Sequence, residues 1–177
     1  MKRLSLLALA LCATATLLAE DPAKFTVGAF DFQRPATWAW VPVSSPMRKA
    51  QLKVPGAKPD SAADITFFHF GAGGGGGAQA NIQRWLGQFQ SAEGASKVEP
   101  QEISGAKVTL VSTEGTFSSG MPGGPATPLA GQALLGAIIE HAEGDVFVKM
   151  TGPAALVKES RKPFLDFLTT AIASAKK

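Results

Sequence analysis

The feature that most restricts the fold is a pair of apolar runs on either side of a two-residue turn. The runs cover residues 131–142 and 145–151, and the turn between them is Glu143-Gly144. Turns of this length join antiparallel strands, because their twist matches that of the strands. In the register that this turn sets, His141 opposes Val146. The sequence therefore predicts an antiparallel hairpin with one continuous apolar face.

Further strand-like segments precede this hairpin, rich in β-branched and aromatic residues or alternating in polarity. They cover residues 25–33, 38–41, 47–54, 64–70, 97–103 and 106–117. Residues 64–70 carry apolar side chains in both alternating sets, so both faces of that strand should be covered. Strands outnumber helices and most connections are hairpins. We therefore expect an α+β fold, with a largely antiparallel twisted sheet flanked by two main helices.

Two segments have the 3.6-residue period of amphipathic helices. Residues 78–90 predict the first helix, through the apolar stripe Ile82, Trp85, Leu86 and Phe89. The second runs from Gly152-Pro153 to about Ser174, and its apolar stripe is Phe164, Phe167, Leu168, Ala171 and Ile172. Pro163 should kink or split this closing helix near Arg161, because its ring blocks a helical hydrogen bond.

Residues 1–19 have the pattern of a secretory signal peptide. Lys2 and Arg3 give a basic start, a charge-free run rich in Leu and Ala follows, and Ala19 precedes the polar Glu20. We expect cleavage after Ala19, one domain over residues 20–177 and a periplasmic or secreted location without a further membrane span. A lipid anchor at Cys12 is the alternative, but Leu11 stands where a lipoprotein signal carries a small residue.

Removal of this leader changes the charge and the cysteine count. Of 17 basic residues Lys2 and Arg3 are lost, which leaves 15 against 14 acidic residues and a net charge of +1. Such a balance gives no indication of nucleic-acid binding. The single cysteine, Cys12, lies in the leader. Disulfides, thiol catalysis and thiolate metal sites are thereby excluded from residues 20–177.

One segment near the start of this domain resembles a known family. Residues 30–38, Phe-Asp-Phe-Gln-Arg-Pro-Ala-Thr-Trp, have the form F-x-F-x-x-P-x-x-W. Together with a last strand that runs into Gly152-Pro153 and a closing helix, this resembles the PsbP-like fold. That family includes the extrinsic photosystem II subunit and DcrB-type bacterial envelope proteins. The resemblance covers residues 25–174 and implies a binding or assembly factor without catalytic residues.

Three features of the sequence contain residue types that could support chemistry. Residues 71–76 match the dinucleotide pattern G-x-G-x-x-G, but a run of glycines matches it in any frame, so a mobile loop is the preferred interpretation. His69 and His141 lie on apolar strand faces. Residues 140–145 include four side chains that can bind a metal, but consecutive residues of a strand, such as 140 and 141, point to opposite faces. We therefore predict no cofactor, no metal site and no catalytic residue. A hydrolase with unidentified carboxylates and a metal- or anion-binding module remain as alternatives.

The sequence thus indicates an exported, non-catalytic binding or assembly module of the bacterial cell envelope, with an unidentified protein partner. Loops on a rigid sheet commonly carry recognition. The predicted binding surface combines two aromatic residues with the loops at 71–77 and 118–128. Its members are Trp38, Trp40, Gly73, Gly75 and Met121.

Overall fold

The computed structural model describes residues 21–43, 45–58, 61–118 and 127–175. The strands in these ranges are β1 (Lys24–Val27), β2 (Phe30–Gln33), β3 (Ala39–Trp40), β4 (Arg48–Val54), β5 (Ala63–His69), β6 (Phe89–Gln90), β7 (Lys97–Ile103), β8 (Ala106–Phe117), β9 (Leu129–Ile139) and β10 (Val146–Pro153). The helices are α1 (Gly77–Leu86), α2 (Ala154–Glu159) and α3 (Arg161–Ala173).

Eight of these strands form one sheet, in which every pairing is antiparallel. The order is β3-β4-β5-β10-β9-β8-β6, and β7 pairs with β8 beside β6. Strands β1 and β2 form a separate two-stranded sheet. The architecture confirms the α+β prediction of a largely antiparallel sheet with helices on it. None of the helices in the described ranges combines the length and hydropathy needed to cross a bilayer.

Two details of the strands differ from the sequence predictions. Residues 25–33 form the β1–β2 hairpin rather than one strand, because Gly28 turns the chain with φ +57°. In the β9–β10 hairpin Val146 pairs with Ile139, not with His141. The connection is therefore longer than the predicted two-residue turn. Because side chains alternate with a period of two, this shift of two residues leaves the apolar side chains on the face expected for them.

The first face of the sheet is covered over its central strands. The β1–β2 hairpin and α3 lie on it, and the predicted stripe of α3 is buried throughout. The Phe167 ring contacts three other aromatic rings, with centroid distances of 5.2 Å to Phe32, 5.2 Å to Trp38 and 6.1 Å to Phe67. The predicted break near Arg161 is confirmed, since α2 ends at Glu159 and α3 begins at Arg161.

The second face of the sheet is covered only in part. Helix α1 ends at Leu86 rather than near residue 90, because Gly87 follows it. Phe89, predicted as part of the helix, lies in β6. Trp85 of α1 lies directly on Gly136 of β9, where any Cβ would overlap the indole ring. A second apolar cluster forms there, comprising Ile82, Trp85, Phe89, Val111, Leu134, Ile138 and Phe147. Over β4 and β5, no helix of the described residues lies on this face. The prediction that both faces of residues 64–70 are covered is wrong, because Phe68 is half-buried and Phe70, just after β5, is exposed.

Candidate binding cleft

The two tryptophans of the predicted binding surface belong to the first face. Trp38 is only 4% exposed and packs against Phe167. Its predicted place on an accessible surface is wrong, because α3 covers it. Trp40 is half-buried and meets the Phe25 ring edge-on at 5.3 Å. Both rings therefore contribute mainly to the core.

The glycine loop before α1 is held by hydrogen bonds and contacts. The buried Asn81 side chain donates from Nδ2 to the carbonyl oxygens of Gly75 and Gly77, at 2.7 and 2.8 Å. Gly75 lies close to the Phe70 and Phe147 rings, whereas Gly73 is exposed and has open space around its Cα. The loop is therefore anchored at its α1 end rather than free along its length. Met121, the fifth predicted residue, lies outside the described residues.

The glycine loop does not sit in a dinucleotide-binding unit. That unit needs a parallel strand after the helix. Here β5 precedes the loop, and both its neighbours, β4 and β10, are antiparallel to it. Residues 71–76 thus match the pattern G-x-G-x-x-G outside the parallel βαβ unit in which it binds dinucleotides.

Both histidines contact the connection between β9 and β10. His69 Nε2 lies 3.2 Å from the Glu143 carbonyl oxygen, and His141 Nδ1 accepts from the Glu143 backbone N–H at 3.2 Å. The His141 ring also meets Phe30 edge-on at 5.4 Å. Across the described ranges, no three His, Cys, Asp or Glu side chains come together as metal ligands. The geometry gives these histidines a structural role in holding residues 140–145.

The uncovered part of the second face forms an open cleft of about 650 Å³ between β4, β5 and β10. Its floor is polar although it continues an apolar sheet. The residues that line it include Met47, Arg48, Gln51, Asp64, Thr66, Phe68, Gln88, Phe117, Leu129, Lys149 and Thr151. We call this the Lys149 cleft.

A row of polar residues crosses the floor of the Lys149 cleft. Gln51, Thr66 and Lys149 are register partners on the three adjacent strands. An irregularity in β4 between Arg48 and Ala50 adds a second cation. Residues three apart on a regular strand point to opposite faces, but the extra residue turns Arg48 to the side of Gln51. Arg48 Nη1 accordingly donates to Gln51 Oε1 at 2.7 Å.

Lys149 is the chemically most unusual group in the Lys149 cleft. Its Nζ donates to Gln88 Oε1 at 2.9 Å and lies 6.0 Å from the centre of the Phe117 ring. Burial, and secondarily the nearby Arg48 charge, lowers the pKa of Lys149 from 10.5 to about 8. No carboxylate of the described residues lies within 4.0 Å of the charged nitrogens of Lys149 or Arg48.

Two further groups define what the Lys149 cleft can do. Thr151 Oγ1 has no hydrogen-bond partner among the described residues, but it is buried and is not presented to a ligand. Asp64 is the cleft's carboxylate, and Lys53 Nζ lies 3.9 Å from its Oδ1. Two cations and one carboxylate that already has a lysine partner favour binding of an anion. Among the described residues, the Lys149 cleft does not hold the two carboxylates of a glycosidase.

Sequence reasoning missed this site. One signal was present, since Lys149 interrupts the otherwise apolar Val146–Met150 segment on the side shared with Phe147 and Ile138. A charge at such a position requires either a partner or access to solvent. The place of Arg48 had no comparable signal, because the strand irregularity depends on pairing with β5.

Comparison with solved structures establishes the fold. The solution structure of the cyanobacterial PsbP protein CyanoP from Synechocystis sp. PCC 6803 matches with a TM-score of 0.51 and 11% identity, over 92% of this chain and 96% of that one. This chain has a PsbP-like fold.

Two other matches have lower TM-scores. A Bacteroides thetaiotaomicron structure gives 0.47 at 14% identity, over 89% of this chain and 50% of that one. A Pseudomonas aeruginosa protein of unknown function, PA94, gives 0.45 at 13% identity, over 89% and 98%. No family model matches the chain, and no curated protein matches it in sequence. The PsbP-like resemblance drawn from residues 30–38 is confirmed at the level of the fold.

Proposed function

We propose that the protein is an exported, non-catalytic binding module of the bacterial cell envelope, and that it binds its partner in the Lys149 cleft. The observation that carries this proposal is a desolvated cation on the floor of an open cleft, with no carboxylate partner among the described residues. Desolvating a charge costs free energy unless another group compensates for it. A perturbed ionisable group in a cleft is a candidate functional site.

Export rests on the pattern in residues 1–19 alone. N-terminal sequencing of the protein recovered from the envelope should begin at Glu20 if the leader is cleaved after Ala19. A chain that begins at a lipid-modified Cys12 would replace the soluble module with a membrane-anchored one.

A variant comparison tests the binding site. The protein and its Lys149→Gln and Lys162→Gln variants are used to capture partners from an envelope extract. Both substitutions remove one positive charge, but Lys162 is exposed on α3, on the opposite face of the sheet. We expect a partner that the parent and Lys162→Gln retain and that Lys149→Gln loses. Equal capture by all three proteins would refute a role for the Lys149 cleft.

A screen of the parent protein tests the alternative of a hydrolase. The parent is screened with ester, peptide and glycoside substrates, together with an Asp64→Asn variant that neutralises the carboxylate of the Lys149 cleft. We expect no turnover by the parent. Turnover that Asp64→Asn abolishes at unchanged stability would make the protein an enzyme.

A further inference from the structure

We propose that the ligand of the Lys149 cleft is an acidic peptide segment of a partner protein, with one carboxylate at Lys149 and Arg48 and apolar side chains on either side of it. This inference rests on the function proposed above and adds the chemistry of the partner. The floor of the cleft specifies the acidic group, and the rim specifies the rest of the segment.

The floor selects a carboxylate by charge. Arg48 and Lys149 line the same cleft, and neither has a carboxylate within 4.0 Å among the described residues. Arg48 has further N–H groups besides the one that bonds Gln51, and Lys149 has protons besides the one that bonds Gln88. Hydrogen bonds from charged donors to a carboxylate are stronger than neutral ones. An anion placed between the two groups would therefore satisfy both.

The rim extends the binding surface beyond the cleft floor. Met47 is 62% exposed and Leu129 is 51% exposed, and both line the cleft. On the β5 side, Phe68 also lines it and stacks with the exposed Phe70, with ring centroids 6.3 Å apart. We call these four side chains the apolar rim. A small anion would touch only the floor and leave the apolar rim in water.

An extended peptide fits both parts because its side chains alternate in direction. A Glu side chain can point to the floor while its neighbours spread over the apolar rim. Aromatic and Met side chains are the residue types enriched where proteins bind one another. The combination of a cationic floor with apolar surface outside it therefore favours a peptide over a free small molecule.

The test uses three fluorescent peptides with amidated C-termini and measures their binding by fluorescence anisotropy. The acidic probe is Leu-Phe-Glu-Glu-Phe-Leu, the neutral probe is Leu-Phe-Gln-Gln-Phe-Leu, and the polar probe is Ser-Ser-Glu-Glu-Ser-Ser. We expect the parent protein to bind the acidic probe at least about tenfold more tightly than either of the others, since each lacks one of the two recognised features.

Three variants locate the bound peptide. Lys149→Gln and Arg48→Gln should each weaken the acidic probe about tenfold or more, whereas Lys162→Gln should leave its affinity unchanged. Should Lys149→Gln or Arg48→Gln fail to fold, the parent protein still gives a second readout by NMR. Titration of Lys149 should show its pKa rising when the acidic probe is bound and unchanged with the neutral probe, because a neighbouring negative charge favours the protonated amine.

The contrary outcomes separate this inference from the proposed function. Equal binding of all three probes, or acidic binding that Lys149→Gln and Arg48→Gln leave intact, overturns the acidic-peptide proposal. Decanoate that binds with the same dependence on Lys149 while the acidic probe does not bind also overturns it, in favour of a small amphiphile. If the probes fail but capture of an envelope partner still depends on Lys149, the proposed function stands and only the peptide chemistry falls.

Discussion

The two halves of the second sheet face show how one surface can serve for packing and for binding. Gly136 and Lys149 are register partners on β9 and β10, and therefore neighbours on this face. Gly136 lies beneath the Trp85 indole, in the half that α1 closes. Lys149 lies in the other half, which α1 does not cover. Its amine donates a hydrogen bond to Gln88, two residues after the helix ends. The end of α1 at Gly87 thus separates a packed surface from an accessible polar one.

The covered centre of the first face provides the reference for a closed surface, and Phe167→Ala tests it. Phe167 is 5% exposed and contacts rings from β2, β5 and the segment before β3. Its truncation should lower the free energy of unfolding by about 3–5 kcal/mol through lost transfer energy and a cavity. Urea denaturation measures this loss. Leu129→Ala in the open half is the control and should change stability by less than about 0.5 kcal/mol.

If Phe167→Ala unfolds at the same urea concentration as the parent, α3 does not close the first face. The PsbP-like arrangement of sheet and closing helix would then lose its main energetic support.

Stability as a function of pH tests the open half. A pKa of about 8 for Lys149 in the fold, against 10.5 when unfolded, means that the fold disfavours the protonated amine. The unfolded chain therefore binds the extra proton between these values, and stability contributed by this group should rise with pH from about 8 to 10.5. The full shift corresponds to at most about 3 kcal/mol.

Lys149→Met isolates this contribution from other titrations. The variant should be more stable than the parent at pH 7, and its advantage should shrink as pH approaches 10.5, because the parent then loses the unfavourable charge. Urea denaturation of both proteins from pH 7 to 10.5 measures the difference. A constant difference over that range would mean that Lys149 is not desolvated.

Gly136→Ala tests the closed half of the second face. The added methyl group would overlap the Trp85 ring, and overpacking of this kind costs about 1–3 kcal/mol. Trp85→Leu in the Gly136→Ala background should recover part of that loss, and the coupling between the two substitutions is the quantity to measure. Additive effects of the two substitutions would show that α1 does not lie on Gly136.

Asn81→Ala tests the anchor of the glycine loop and should have the smallest effect. It removes the hydrogen bonds from Asn81 to Gly75 and Gly77, at a cost of about 1–2 kcal/mol. Amide hydrogen exchange should become faster within residues 71–77 and the first turn of α1. Unchanged exchange would indicate that the loop is as mobile as the sequence first suggested.

Local patterns carried most of the fold prediction. Periods of two and 3.6 located most strands and the buried stripe of α3, and Pro163 located the break before it. The predicted register of the β9–β10 hairpin was wrong by two residues. Because this is an even number, each side chain was still assigned to the correct face of the sheet. Early predictions failed where a glycine changed the path of the chain, at Gly28 and at Gly87.

The candidate site was less accessible to sequence reasoning because it depends on contacts between distant segments. Trp38 is buried by α3, which lies more than a hundred residues further along the chain. Arg48 faces the cleft only because β4 pairs irregularly with β5. Lys149 alone had a visible signal, as a charge within an apolar strand, but its exposure depends on where α1 ends.

The most direct test of the central claim is an NMR titration of Lys149, with Lys149→Arg used to assign its signal. We expect a midpoint at about 8, because the amine is withdrawn from water and has a second cation nearby. A midpoint at the ordinary lysine value of about 10.5 would contradict this expectation. The amine would then be solvated or paired with a carboxylate, and the cleft would no longer present an uncompensated charge to a partner.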